Sequence, residues 1–457
     1  MGKMEAEFLI YLNLLLSYFW QYIKSWYWLF LALILVFPNF KKFPRLGYWW
    51  HYWRYQTRFT PAQTPKIVEI ILPKEIVKPI SAMEKCLEQI WKGFYEPPYF
   101  WEFWWQGKHH PMDFQFEIVS DGGKITFYLR TVLGYKIDAL KRAIWSHYPE
   151  IEFRETEDYT RKIPVDIERK GWEFRGADFG LEKPDIWPIA TYLDFEKQPE
   201  ALPPGEERRK VDPMSMLLEI LTQLQPGEKI WIQIKPFPIG GEETQSYVKA
   251  AQSLKNKIAQ RKVSREKSWI ESFFDALISI IEGKREKKQE KTKIELEAPE
   301  LRMTPRERQI CEAIERKFSK SLFLVSSIRY MYFAKKEAAF PHRWRQMLNF
   351  IGSFAVEDMN SFKNVVHTYT KIINPPPLNL FDKRRLYVRK RRLIRLYQNR
   401  YEPRYPLDGD YRWAYIVLSS EELATLFHFP TRAVAPSPGV KRIEIKKGEA
   451  PPEVPME

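Results

Sequence analysis

Cysteine is nearly absent: Cys86 and Cys311 are the only two among 457 residues. Two cysteines in unrelated contexts exclude a disulfide framework and a cysteine-rich metal site, and they suit a reducing compartment. A GxxxxGK[ST] phosphate loop is also missing, so no P-loop nucleotide site can be assigned. Adjacent histidines point apart, and no second pair joins His109-His110 and Asp113, which therefore read as a polar loop rather than a metal site. Glu155-Thr156-Glu157-Asp158 follows a strand end and reads as solvated. No nucleophile–base pair stands out. The chain reads as a non-enzyme without a cofactor.

Acidic residues are missing where they would be most informative. From Phe8 to Phe37 the chain is apolar and aromatic, interrupted by Gln21 and Lys24, and the next twenty-odd residues carry Lys41, Lys42, Arg45, Arg54 and Arg58 with no Asp or Glu. About 30 residues of helix span roughly 45 Å, more than the ~30 Å of a hydrocarbon core. No small-residue cleavage site follows Leu31-Ala32-Leu33, which argues against a signal peptide. The expectation is a single-pass anchor in the inner membrane, with the basic flank and the bulk of the chain cytoplasmic. Lys24 fits it poorly, because a charge at mid-bilayer is costly. Lys41, Lys42, Arg45, Trp49, Trp50, Trp53 and Arg54 form the expected interface collar of residues 38–65; a locally packed aromatic cluster is the alternative.

The whole chain is 16% aromatic and 44% hydrophobic and carries a formal charge of +15. That charge favours an anionic partner without choosing among lipid, nucleic acid and acidic protein. Residues 66–160 present a strand at Ile67–Leu72, a helix capped by Ser81 with Glu84 three residues on, and strands from Phe114 and Ile125 joined at Asp121-Gly122-Gly123. A helix through Ile137, Leu140 and Ile144 and a strand at Ile151–Phe153 complete it. This βαββαβ order predicts a ferredoxin-like sandwich. A second α+β unit is expected over 161–380, with a strand over Ile186–Phe195, a helix opened by Pro213, a strand at Lys229–Ile234, a helix capped by Thr304, a strand over Ser321–Phe333 and a helix over Trp344–Val356. The expected fold class is therefore α+β: an N-terminal transmembrane helix followed by two ferredoxin-like sandwiches, the second with a charged helical insertion at 240–300.

Within the insertion, residues 269–281 carry an apolar stripe that suits packing on the domain, a partner's groove or a membrane surface. Residues 381–430 hold the densest positive charge. Arg384, Arg385, Arg389, Lys390, Arg391, Arg392 and Arg395 read as a solvated basic face over a packed stripe, or as a contact for anionic lipid or for nucleic-acid phosphates. Residues 431–457 form a Pro- and Lys-containing tail that should not fold alone.

Three stretches carry a resemblance: Val68–Glu75 leading to Ala82-Met83-Glu84, Glu421-Glu422-Leu423-Ala424-Thr425-Leu426-Phe427-His428-Phe429-Pro430, and the tail from Val434 through Pro451-Pro452. Together they resemble the membrane-anchored N-terminal region of bacterial type IV secretion and conjugative DNA-transfer coupling proteins. The resemblance implies an adaptor or scaffold that docks a separate P-loop ATPase, with DNA as a further partner and homo-oligomerisation as an option. On that view Leu423, Leu426, Phe427, His428 and Phe429 form the docking segment.

Overall fold

The computed structural model describes residues 11–24, 26–28, 53–54, 57–58, 60–73, 76, 78–97, 99, 102, 114–196, 212–259, 303–340, 342–356, 359–372, 374–401, 415–430 and 442–443. A small unit holds the N-terminal residues through Ala62, and a large unit beginning at Gln63 carries the sheet. In the small unit residues 11–24 are helical, and Tyr11, Leu15, Trp20 and Tyr22 are solvent-exposed. The described helical residues there, 11–24 and 26–28, number seventeen and rise ~26 Å, short of the ~30 Å hydrocarbon core. Among the described residues no helix is long and apolar enough to cross a membrane. The expected single-pass inner-membrane anchor is corrected accordingly: the apolar run in the sequence is longer than the described helix within it.

The sheet of the large unit is built around a hairpin. Phe114–Asp121 (β2) and Lys124–Thr131 (β3) are joined by Gly122-Gly123, at φ of 56° and 85°. Left-handed geometry at both central residues is what a two-residue hairpin turn needs. At Gly123 a Cβ would also meet the Thr222 carbonyl oxygen at 2.8 Å. Lys66–Pro73 (β1) lies antiparallel to β3, and Glu152–Glu155 (β4) lies antiparallel to β1. With helices Ile80–Phe94 (α1) and Ile137–Trp145 (α2) as crossovers, the order in space is β4-β1-β3-β2.

The second half repeats the pattern with longer excursions. Trp172–Leu181 (β5) leads through a short helix Tyr192–Glu196 (α3) and Pro213–Thr222 (α4) to Glu228–Ile239 (β6). Helices Gly241–Ile258 (α5) and Pro305–Ser319 (α6) intervene before Leu322–Lys335 (β7), then Arg343–Gly352 (α7) and Phe362–Asn364 (β8). Their strands lie in the order β8-β5-β7-β6. Because β2 pairs antiparallel with β6, one sheet runs through both halves. The fold is α+β. Helix Asp382–Gln398 (α8), strand Ile416–Ser419 (β9, on β7), helix Ser420–Leu426 (α9) and the two-residue strand Arg442–Ile443 (β10, parallel to β1) complete the unit.

One register row crosses seven strands: Arg154, Glu69, Tyr128, Glu117, Gln233, Arg329 and Asp178. Exchanging the halves about the Glu117–Gln233 pair puts Tyr128 in the place of Arg329 and Glu69 in the place of Asp178. One face of the sheet packs on α1, α2, α4, α7 and α9, through residues such as Leu87, Leu140, Leu217, Phe350 and Leu423. The other face packs Trp231, Phe174, Met331 and Phe333 against Leu393, Ile394 and Tyr397 of α8.

Local signals were followed unevenly. Thr304 caps α6 in a full capping box with Glu307, as its sequence predicts. Ser81 does not cap α1; Pro79 occupies the N-cap without a side-chain bond, and Glu84 instead accepts from Tyr192 and Lys320, each at 2.6 Å. The strand expected over 186–195 is replaced by α3, whose start is held by Thr191 donating to Asp194 from both its backbone N and its Oγ1. That local cap outcompetes extended pairing. The stripe at 269–281 lies outside the described residues.

The Phe427 ring stacks on Phe116 at 4.2 Å and is buried beside Phe127 and Phe429. Phe427→Ala should therefore cost about 3–5 kcal/mol of unfolding free energy, visible as a lower urea midpoint. A loss below about 1 kcal/mol would contradict this packing.

Candidate interaction surface on the basic helix

Helix α8 is fixed at both ends and along one side, which decides which of its cations face solvent. At its start Asp382 accepts from the Asn374 side chain at 2.6 Å and backbone at 3.1 Å. Along its inner face Leu393, Ile394, Leu396 and Tyr397 are buried. Burial of one such side chain is worth about 1.5–3 kcal/mol. Its last turn runs into Arg400, which lies at φ 54° and is 1% exposed. A non-glycine residue there costs roughly 1–2 kcal/mol.

The arginine side chain offsets that cost. Its Nε donates to Glu117 Oε1 at 3.0 Å and its Nη2 to Glu117 Oε2 at 3.2 Å. The same guanidinium pairs with Asp158, Nη2 to Oδ1 being 2.9 Å. Glu117 also accepts from Tyr159 at 2.9 Å and from Gln233 at 2.8 Å, and the Tyr159 and Tyr397 hydroxyls lie 2.7 Å apart. Two strands further along the row, Arg329 Nε donates to Asp178 at 2.7 Å, and both groups are buried. Burial raises the pKa of the Tyr159 and Tyr397 hydroxyls well above the ordinary value, and the neighbouring Glu117 adds to it, so both act as neutral donors. For Asp158, burial acts upward, but the hydrogen bonds and charge of Arg400 outweigh it and hold the carboxyl below the ordinary value.

Several of the predicted cations are committed to the fold. Arg389 donates to the carbonyls of Val366 at 3.1 Å and Tyr369 at 2.8 Å. Lys390 pairs with Glu168, and the Arg391 guanidinium lies 5.4 Å from the Tyr387 ring centroid. Arg384, Arg385, Arg392 and Arg395 face outward. Burial, and then the charge of Arg392, lower the pKa of Arg389, a sign that positive charge is crowded here. The helix thus keeps a buried apolar side, two flanks tied to neighbours and a cationic outer side. That side carries positive charge, which attracts anions in general.

The other expected sites fall differently. Leu423, Leu426, Phe427, His428 and Phe429 are all buried, 2% exposed or less. His428 faces the Ala424 carbonyl at 2.9 Å through Nδ1 and Asp212 at 2.8 Å through Nε2. Lys317 and Arg316 of α6 pair with Glu422 and Glu421 at 3.1 and 3.2 Å. The proposed docking segment is consumed by the core of its own chain, so a partner has no access to it here. Of the collar, Trp53 is exposed with the Arg54 guanidinium 5.2 Å from its ring centroid. Lys41, Lys42, Arg45, Trp49 and Trp50 lie outside the described residues. Asp158, expected to be solvated, is an ion-pair partner. The network around Arg400 escaped sequence reading; its only trace is a charge inside each of two apolar strands, Glu117 in FQFEIVS and Arg329 in SSIRYMYF. Compared with protein-family models and with curated proteins, the chain matches none.

Removing the guanidinium leaves Glu117 and Asp158 without their cation. Arg400→Met should cost about 3–5 kcal/mol, with part of the loss recovered when Glu117→Gln is added. The Asp158 contribution is complete above the unfolded carboxylate pKa of about 3.9 and disappears as pH falls through its lower folded value. Stability of the Arg400→Met chain should accordingly fall less steeply below about pH 4 than that of the parent. Urea titrations across that range measure both effects; equal slopes would rule out the Arg400–Asp158 coupling.

Proposed function

We propose that this chain is a non-enzymatic adaptor that holds a nucleic acid by its phosphates on the outer side of α8, within an assembly of the secretion or DNA-transfer kind that its sequence resembles. The observation that carries it is the outward row of Arg384, Arg385, Arg392 and Arg395 on a helix locked to the sheet. Fixed cations lose little entropy on binding, and a row along one helix side suits backbone contact without base reading. On this reading the repeated strand order is two fused ferredoxin-like units serving as a rigid mount.

A non-enzymatic role is supported by the commitment of the buried carboxylates to ion pairs: Glu117 and Asp158 with Arg400, Asp178 with Arg329, Glu422 with Lys317. An ATPase partner would have to dock elsewhere than 423–429.

Binding of the purified chain to labelled oligonucleotides should weaken steeply between about 50 and 200 mM salt. The triple reversal Arg384→Glu, Arg385→Glu, Arg392→Glu should lower both affinity and the salt slope, by about 1 per lost contact. Unchanged affinity after the reversal would sink the proposal.

A further inference from the structure

The outer side of α8 is not uniformly charged. Phe381, at the N-cap of the helix, is 60% exposed, and Val388 is 55% exposed. Phe381, Arg385, Val388, Arg392 and Arg395 follow one another at spacings of 4, 3, 4 and 3 residues, which places them on a single side of a helix. That side is opposite the buried Leu393–Tyr397 stripe. An aromatic ring therefore opens, and an aliphatic side chain interrupts, a row of arginines along ~21 Å of helix.

We infer that this seam binds single-stranded nucleic acid in preference to duplex, with Phe381 as a stacking platform at one end of the arginine row. The proposal rests on nucleic-acid contact at α8 and names its substrate class. Phosphates alone would not reward an exposed phenyl ring: hydration of the ring is unfavourable, and an anion has no attraction to its face. An unpaired base does, since every base offers a π-face to stack on the ring while neighbouring cations take the phosphates. In a duplex those base faces are hidden in the stack. Charge complementarity favours a polyanion over an apolar protein groove as the occupant, because the ring and the valine are flanked by Arg384, Arg385, Arg392 and Arg395 on the same side. The acidic neighbours are engaged elsewhere: Asp382 with Asn374, Asp166 with Tyr387 and Glu168 with Lys390.

Fluorescence anisotropy of the full chain with an oligothymidylate about 20 nucleotides long and with a duplex of the same length provides the test. The parent should bind the single strand more tightly. Phe381→Ala should weaken single-strand binding about tenfold and leave duplex binding unchanged, while Phe381→Trp should retain the single-strand affinity. Equal affinities for both forms, with no effect of Phe381→Ala, would overturn the single-strand preference and leave the phosphate-contact reading standing. Binding of neither form would overturn both. Capture by phosphatidylserine vesicles without any oligonucleotide binding would overturn both in favour of a lipid headgroup surface.

Discussion

Arg400 joins parts of the large unit that are distant in sequence. One guanidinium meets Glu117 in the middle of the sheet and Asp158 after the fourth strand, and its own backbone ends α8. The orientation of α8 depends on this contact, which fixes which side of the helix is buried and which faces outward. Its carbonyl oxygen accepts in turn from Lys235 at 3.2 Å. Buried ion pairs of this sort are weak sources of net stability against apolar replacements. Their value lies in specificity: a purely apolar α8 stripe could slide or rotate on the sheet, whereas a bidentate arginine can satisfy Glu117 in one place.

Much of the architecture was legible in the sequence, for identifiable reasons. Elements with their own terminators were readable: the Gly122-Gly123 turn, the Thr304–Glu307 capping box and Pro213 at the start of α4 each act through a few adjacent residues. The βαββαβ order of residues 66–155 followed from them. The stripe Leu386, Leu393, Ile394 and Tyr397 was also readable by its spacing, although Leu386 is only half-buried and Leu396 joins the buried side. The fusion of both halves into one sheet was not, since β2–β6 pairing depends on which edge strand meets which. Alternation in FQFEIVS looks the same whether Glu117 meets water or a buried arginine 283 residues away.

The candidate site was half visible. Composition located the arginines of α8, but only contacts distinguish Arg389 and Lys390, which serve the fold, from Arg384 and Arg385 on its outer side. The segment 421–429 shows the opposite failure. The resemblance implied a docking segment of Leu423, Leu426, Phe427, His428 and Phe429, next to the glutamates Glu421 and Glu422. In the structure both are interior, because α6 supplies Lys317 and Arg316 as counterions for the glutamates. A charged residue in a short amphipathic segment reports its surroundings only when the partner is known.

The pairing of Glu117 with Gln233 has a consequence for two halves that share one strand order. A residue on the line of exchange between them faces its own counterpart. Were both glutamate, two carboxylates would confront each other in the sheet with one cation between them; were both glutamine, Arg400 would lose its counter-charge. One acid beside one amide resolves that conflict, since the Gln233 amide donates to Glu117 while its oxygen faces Arg329. The halves are thereby no longer interchangeable. Helix α8 is accordingly laid across them in a single sense, with Arg400 on Glu117 and not on its counterpart Gln233.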